Sequence, residues 1–204
     1  MRKVAISAGL ALFAQAVLAC ATQPNMVPPA FANTDAEIAV MDEQIGGKPF
    51  CVSKQVIHAK PDQIWGILTD YKNVSSVFPM MRKCQILEDH GSTKIVKHCV
   101  APSGPIGTFE YVVEVKEVAP KSIEWHRISG DFKEVDGCWK LEPVDNGRNT
   151  LVTYTSHVQG SFLTPQMLIR RQAHVDMPIV MASLKREAEN GAQIAGRPII
   201  SHAQ

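Results

Sequence analysis

The chain has 204 residues, 45% of them hydrophobic, and a formal net charge of +1 from Lys+Arg 21 against Asp+Glu 20. That near-neutral balance, with no Lys/Arg cluster interleaved with aromatics, excludes the basic stripe that a phosphate backbone requires, so nucleic acid is not an expected partner. The length suffices for one domain with a sizeable core.

Arg2 and Lys3 precede an apolar run over residues 4–18, interrupted only by Ser7, Gly9 and Gln15. As a helix it is too short to span the roughly 30 Å hydrocarbon core, so residues 1–20 read as a secretory signal peptide. Val17-Leu18-Ala19-Cys20 resembles the lipobox of bacterial lipoproteins, in which the cysteine is acylated and becomes the new N-terminus. On that reading Cys20 is the lipidation site and the protein is a membrane-anchored lipoprotein. The small residues around the cut suit an ordinary signal peptidase as well, which would release a soluble periplasmic protein. Either way the expected location is the periplasm or cell envelope.

Residues 21–48 carry Pro24, Pro28, Pro29, Gly46 and Gly47 and read as a flexible linker, with room for a helical turn or two over residues 35–45. A coil of that length averages roughly 30 Å end to end. Residues 50–59 alternate apolar and polar side chains, as a half-buried strand does. Pro61 then suits the first turn of a short amphipathic helix carrying Ile64, Trp65, Ile67 and Leu68, and a second short helix is expected over residues 70–77.

Residues 82–89 and 93–101 form the next two strands, a hairpin around His90-Gly91-Ser92. A uniform register that sets Asp89 against Lys94 also sets Cys84 opposite Cys99, within disulfide reach. The pair reads equally as two small buried hydrophobes, and Cys51 and Cys138 have no comparable local argument. Pro102-Ser103-Gly104-Pro105 marks a loop.

Residues 107–118 give the clearest alternation in the chain, with Phe109, Tyr111, Val113 and Val115 on one face. Strands follow over residues 122–128, 132–144 and 150–158, with Gly137 a bulge or bend and Asp145-Asn146-Gly147 a hairpin turn. From Thr164 the period changes. Ile169, Ala173, Met177, Val180, Leu184 and Ala188 define a long amphipathic helix, interrupted by Pro178 and ending at Asn190-Gly191 before a frayed tail over residues 191–204.

Ile64-Trp65-Gly66-Ile67-Leu68-Thr69-Asp70-Tyr71 followed by Phe78-Pro79 resembles the START-like (SRPBCC) superfamily of polyketide cyclases and lipid-transfer proteins, with the coenzyme Q-binding branch nearest. Gly137-Cys138-Trp139-Lys140-Leu141-Glu142-Pro143, then Val152 and Tyr154, is similar to its penultimate strands, and Leu184-Lys185-Arg186-Glu187-Ala188-Glu189 to the end of its terminal helix. The resemblance implies an α+β helix-grip fold over residues 49–190: a seven-stranded curved antiparallel sheet wrapped around the long C-terminal helix and enclosing a hydrophobic cavity. The secretory signal and linker depart from the quinone-binding branch, which puts coenzyme Q itself in question as ligand.

A cavity of this kind holds a hydrophobic small molecule such as a lipid, quinone or isoprenoid. Its expected walls are Phe109, Tyr111, Trp125, Trp139, Leu141, Tyr154, Met177 and Met181, with Arg127 available to a polar head group because it shares a strand face with Trp125. For catalysis, His98, His126, His157 and Tyr154 are the acid/base candidates, but no Ser-His-Asp order or nucleophile elbow accompanies them. No cofactor is expected, no Cys-x-x-Cys occurs, and the seven histidines do not cluster at metal-ligand spacing. Carriage of a hydrophobic molecule is thus the leading reading. A cyclase-like enzyme and a ligand-sensing interaction module, whose protein partner the sequence does not name, are the alternatives.

Overall fold

The computed structural model describes residues 38–160 and 165–195, with side chains to residue 191. The proposed signal peptide, Cys20 and the last residues of the tail lie outside the described residues.

Eight antiparallel strands form one sheet: β1 (Val40–Ile45), β2 (Lys48–Ile57), β3 (Met81–Asp89), β4 (Thr93–Val100), β5 (Phe109–Val118), β6 (Ser122–Gly130), β7 (Glu134–Val144) and β8 (Asn149–Gln159). Two short helices, α1 (Pro61–Thr69) and α2 (Val74–Val77), connect β2 to β3, and α3 (Gln166–Ala195) closes the chain. The sheet order is β1-β2-β8-β7-β6-β5-β4-β3. Every link after β2 is a hairpin, except the passage through α1 and α2 that carries the chain from one side of the sheet to the far edge.

The eighth strand corrects the expected count of seven. Residues 40–45 are neither linker nor helical turn but β1, which pairs with β2 from Val40↔Ser53 to Ile45↔Lys48. Gly46 and Gly47, at φ 59° and 80°, make the two-residue turn between them; positive φ at both central positions suits the right-handed twist of a hairpin. The helix also outruns its expected stop, continuing through Asn190 and Gly191 to Ala195. An interior glycine costs a helix only about 1 kcal/mol relative to alanine and does not by itself end it.

The hairpin of β3 and β4 corrects the proposed disulfide. Asp89 does oppose Lys94, but an extra residue at Leu87, between the pairs Ile86↔Val96 and Glu88↔Ile95, shifts the register by one. Cys84 therefore opposes His98, and Cys99 opposes Lys83. Because strand side chains alternate faces, that one-residue slip sends the two sulfurs to opposite sides of the sheet. Cys51, Cys84 and Cys99 are in no disulfide among the described residues.

The dry core lies where the C-terminal half of α3 meets α1 and the middle of the sheet. Met181, Leu184 and Ala188 are buried there with Ile57, Ile64, Leu68, Val96, Val113, Leu141 and Val152. Two bonds lock this end: the Thr150 hydroxyl donates to the Ala59 carbonyl (2.7 Å) and the His58 backbone N–H donates to Glu189 on α3 (3.0 Å). Pro178 sits inside α3, upstream of this packed half.

Candidate functional site

Towards the N-terminal half of α3 the packing stops and a cavity of about 670 Å³ opens between helix and sheet. Its floor is made by the inward-facing positions of successive strands, which is why the residues recur at spacing two: Phe109, Tyr111 and Val115 on β5, Ile123 and Trp125 on β6, Val135 and Trp139 on β7, and Tyr154, Ser156 and Val158 on β8. Leu68, Tyr71, Val74 and Phe78 close one end. Leu168, Ile169, Gln172, Ala173, Asp176, Met177 and Val180 of α3 form the roof.

Aromatic rings pave this floor. Trp139 stacks on Tyr154 with centroids 4.0 Å apart and planes at 13°, and Phe78 and Trp125 extend the layer at 6.3 and 6.1 Å. A second group joins His98 to Tyr111 edge-on at 5.3 Å, with Phe132 beside Tyr111 and Phe109. Gly137 makes the paving possible. It pairs regularly in the ladder, opposite Trp125 on β6 and Ser156 on β8, and is no bulge. A Cβ there would lie 2.1 Å from the Trp125 ring, so only glycine lets the indole lie across β7.

The polar groups on the wall are few. Burial lowers His98 from its ordinary value of 6.5 to about 4, so the ring is neutral across the physiological range. Burial likewise raises Tyr111, and pushes Tyr154 up to about 12 against the hydrogen bond from Ser156. These side chains are set deep among protein atoms yet keep some accessible surface, because that surface faces the hollow. Tyr71 differs: its hydroxyl donates to Glu117 (2.6 Å), which also holds Lys94 (3.0 Å). Its donor is already committed to the scaffold.

One side of the cavity is covered by the loop between β4 and β5. The Ser103 backbone N–H donates to Asp176 on α3 (3.2 Å), the Ser103 hydroxyl bonds the same carboxylate oxygen, and Gln172 returns a bond to the Ser103 carbonyl (3.0 Å). Pro102, Gly104, Pro105 and Ile106 line the hollow beside this latch. The loop is thus fastened to the roof by a few polar contacts over an apolar interior.

Six of the nine expected binding residues line this space: Phe109, Tyr111, Trp125, Trp139, Tyr154 and Met177. Leu141 and Met181 do not. Both have the right parity but sit further along their elements, in the solid core, 3% and 0% exposed. Arg127 is not a wall residue either; its guanidinium donates to the Gly130 carbonyl (2.9 Å), a local bond at the end of its own strand. Of the acid/base candidates, only His98 and Tyr154 reach the cavity. His126 is exposed and pairs with Asp136 (3.0 Å), and His157 donates to the Pro49 carbonyl (2.7 Å). The sequence reading passed over Ser156 and Phe132 as wall residues, although Ser156 follows Tyr154 at the strand period.

A curved antiparallel sheet gripping a C-terminal helix over such a hollow defines the START-like class of domain. The chain matches the family model described as polyketide cyclase / dehydrase and lipid transport over residues 57–185, more than half its length, and belongs to that family. No curated protein matches it by sequence. Its fold is similar to those of the Zhui aromatase/cyclase from Streptomyces sp. R1128 (17% identity, TM-score 0.64, covering 73% of this chain and 98% of that one) and a STAR-related lipid transfer protein fragment from Xanthomonas axonopodis (16%, 0.63, 78% and 97%). Human STARD10 is similar at 7% identity and TM-score 0.63, covering 79% of this chain and 73% of that one.

Proposed function

We propose that the domain binds a hydrophobic small molecule, of lipid, quinone or isoprenoid type, in the hollow beneath α3 and carries it within the cell envelope. The observation that supports this most is the cavity itself: 670 Å³ of space walled by aromatic and aliphatic side chains, within the roughly 300–1,000 Å³ of small-molecule sites. Burying about 400 Å² of ligand hydrocarbon is worth roughly 10 kcal/mol at about 25 cal/mol per Å², which leaves micromolar binding after the loss of ligand freedom. His98, Tyr111 and Tyr154 orient the head group, and the Ser103 latch admits and releases the molecule. Export of the chain, and with it the envelope location, rests on the character of residues 1–20.

A cyclase reading draws on the same three polar groups, since a neutral imidazole and two phenols over an aromatic floor could shuttle protons on a bound polyketide. The two readings separate on experiment. Organic extraction of the purified protein followed by mass spectrometry recovers a recurrent apolar molecule in stoichiometric amount if the domain is a carrier. Recovery of none, together with turnover of an aromatic polyketide that His98→Gln or Tyr154→Phe abolishes, would replace it with the enzyme.

A further inference from the structure

Away from the hollow, three donors from separate elements converge: Asp42 on β1, Cys51 on β2 and His174 on α3, with ligand atoms all within 4.8 Å of one another. None of the three lines the cavity. Spacings of 9 and 123 residues hide the group from any local motif, so it emerges only when β1 pairs with β2, setting Asp42 opposite Cys51, and α3 crosses both strands.

Two of the three ligand–ligand distances lie near those a tetrahedral metal would impose. Cys51 Sγ lies 3.7 Å from Asp42 Oδ1, and His174 Nε2 lies 3.2 Å from the same oxygen. A tetrahedral ion with bonds of about 2.3 Å to sulfur and about 2.0 Å to nitrogen and oxygen has ligand–ligand edges of about 3.3–3.6 Å. Arg170 holds the other carboxylate oxygen, Oδ2, at 2.5 Å, an outer contact that fixes the plane of the group as such contacts do around bound metals. Its Nε also reaches Oδ1 at 3.0 Å, and an ion at that oxygen would displace this bond together with those from Cys51 and His174.

We propose that Asp42 Oδ1, Cys51 Sγ and His174 Nε2 form a site for one zinc-class divalent cation, with water at the fourth position. Thiolate and imidazole donors select such an ion over calcium or magnesium. Binding releases the Cys51 proton to solvent as the sulfur–metal bond forms, and Asp42, which is exposed, leaves the fourth position open to water. The ion ties β1 and β2 to the N-terminal half of α3, the half that roofs the cavity.

Cobalt(II) titration of the full chain near neutral pH tests the site. Saturation at one equivalent, with a thiolate-to-cobalt charge-transfer band and tetrahedral visible bands, is expected. Cys51→Ser removes the charge-transfer band, His174→Ala weakens binding at least about tenfold, and Cys99→Ser changes neither. Absence of the band, its survival in Cys51→Ser, or equal affinity in His174→Ala overturns the proposal. Should Cys51→Ser fail to fold, the half-exposed His174→Ala decides through a second readout: zinc raises the melting temperature of the parent chain clearly more than that of the variant, and equal shifts overturn the proposal.

Discussion

The two halves of α3 face the same sheet and meet opposite conditions. Beyond Pro178, Met181, Leu184 and Ala188 are 0–1% exposed and packed against α1 and the strands. Before it, Ala173 and Met177 border a hollow, and Met167, Leu168 and Val175 present 77%, 51% and 48% of their surface. The difference separates holding the fold together from leaving space in it. One helix does both, because its far half stabilises a structure whose near half can then stay unfilled.

The contrast breaks most visibly when the dry half is hollowed. Leu184→Ala is expected to destabilise by about 2–5 kcal/mol, as large-to-small core changes do, whereas Met177→Ala, already beside empty space, costs clearly less; chemical denaturation of the two variants compares them. The next effect is pH-linked. His98 is held at about 4 in the fold while the unfolded chain takes up its proton near 6.5, so the unfolded state binds more protons between those values. Stability is full above pH 6.5, falls as the pH drops towards 4, and loses up to about 3 kcal/mol from this group. Comparing unfolding curves of the parent and His98→Gln across that window isolates His98 from carboxylates that titrate nearby, and equal slopes would deny the ring its buried place.

Gly137→Ala sharpens the comparison from the sheet side. The added methyl must displace the Trp125 indole from β7, at a cost of about 1–3 kcal/mol, and the tryptophan emission spectrum shifts as the ring moves. The smallest effect on stability belongs to Gln172→Ala, which removes one neutral bond to the loop at Ser103 and costs about 1 kcal/mol or less. Its effect is on exchange: release of a bound apolar probe, followed by stopped-flow fluorescence, is faster than in the parent.

Much of this division was legible in the sequence, though not where it falls. Alternation in β5 placed Phe109 and Tyr111 on the inner face correctly, and the change of period after Thr164 marked α3. Alternation reports the face, however, and not the filling of the space in front of it. Leu141 and Trp139 share a face of β7, yet Trp139 borders the hollow and Leu141 is packed solid. Met177 and Met181 are divided in the same way, one turn apart. The strand β1 was hidden by Asp42 and Glu43 in a short edge segment beside Gly46-Gly47, where a turn signal was read as linker. The slip at Leu87 that parts Cys84 from Cys99 leaves no mark in the alternation of residues 82–89.

Titration of the delipidated full chain with a fluorescent long-chain fatty acid, read through Trp125 and Trp139, puts the hollow itself to the test. Saturable one-to-one binding in the micromolar range, lost at least about tenfold when Ala173→Trp fills the roof, is the predicted result, each tenfold being about 1.4 kcal/mol. Binding that does not saturate, or that Ala173→Trp leaves unchanged, would contradict it.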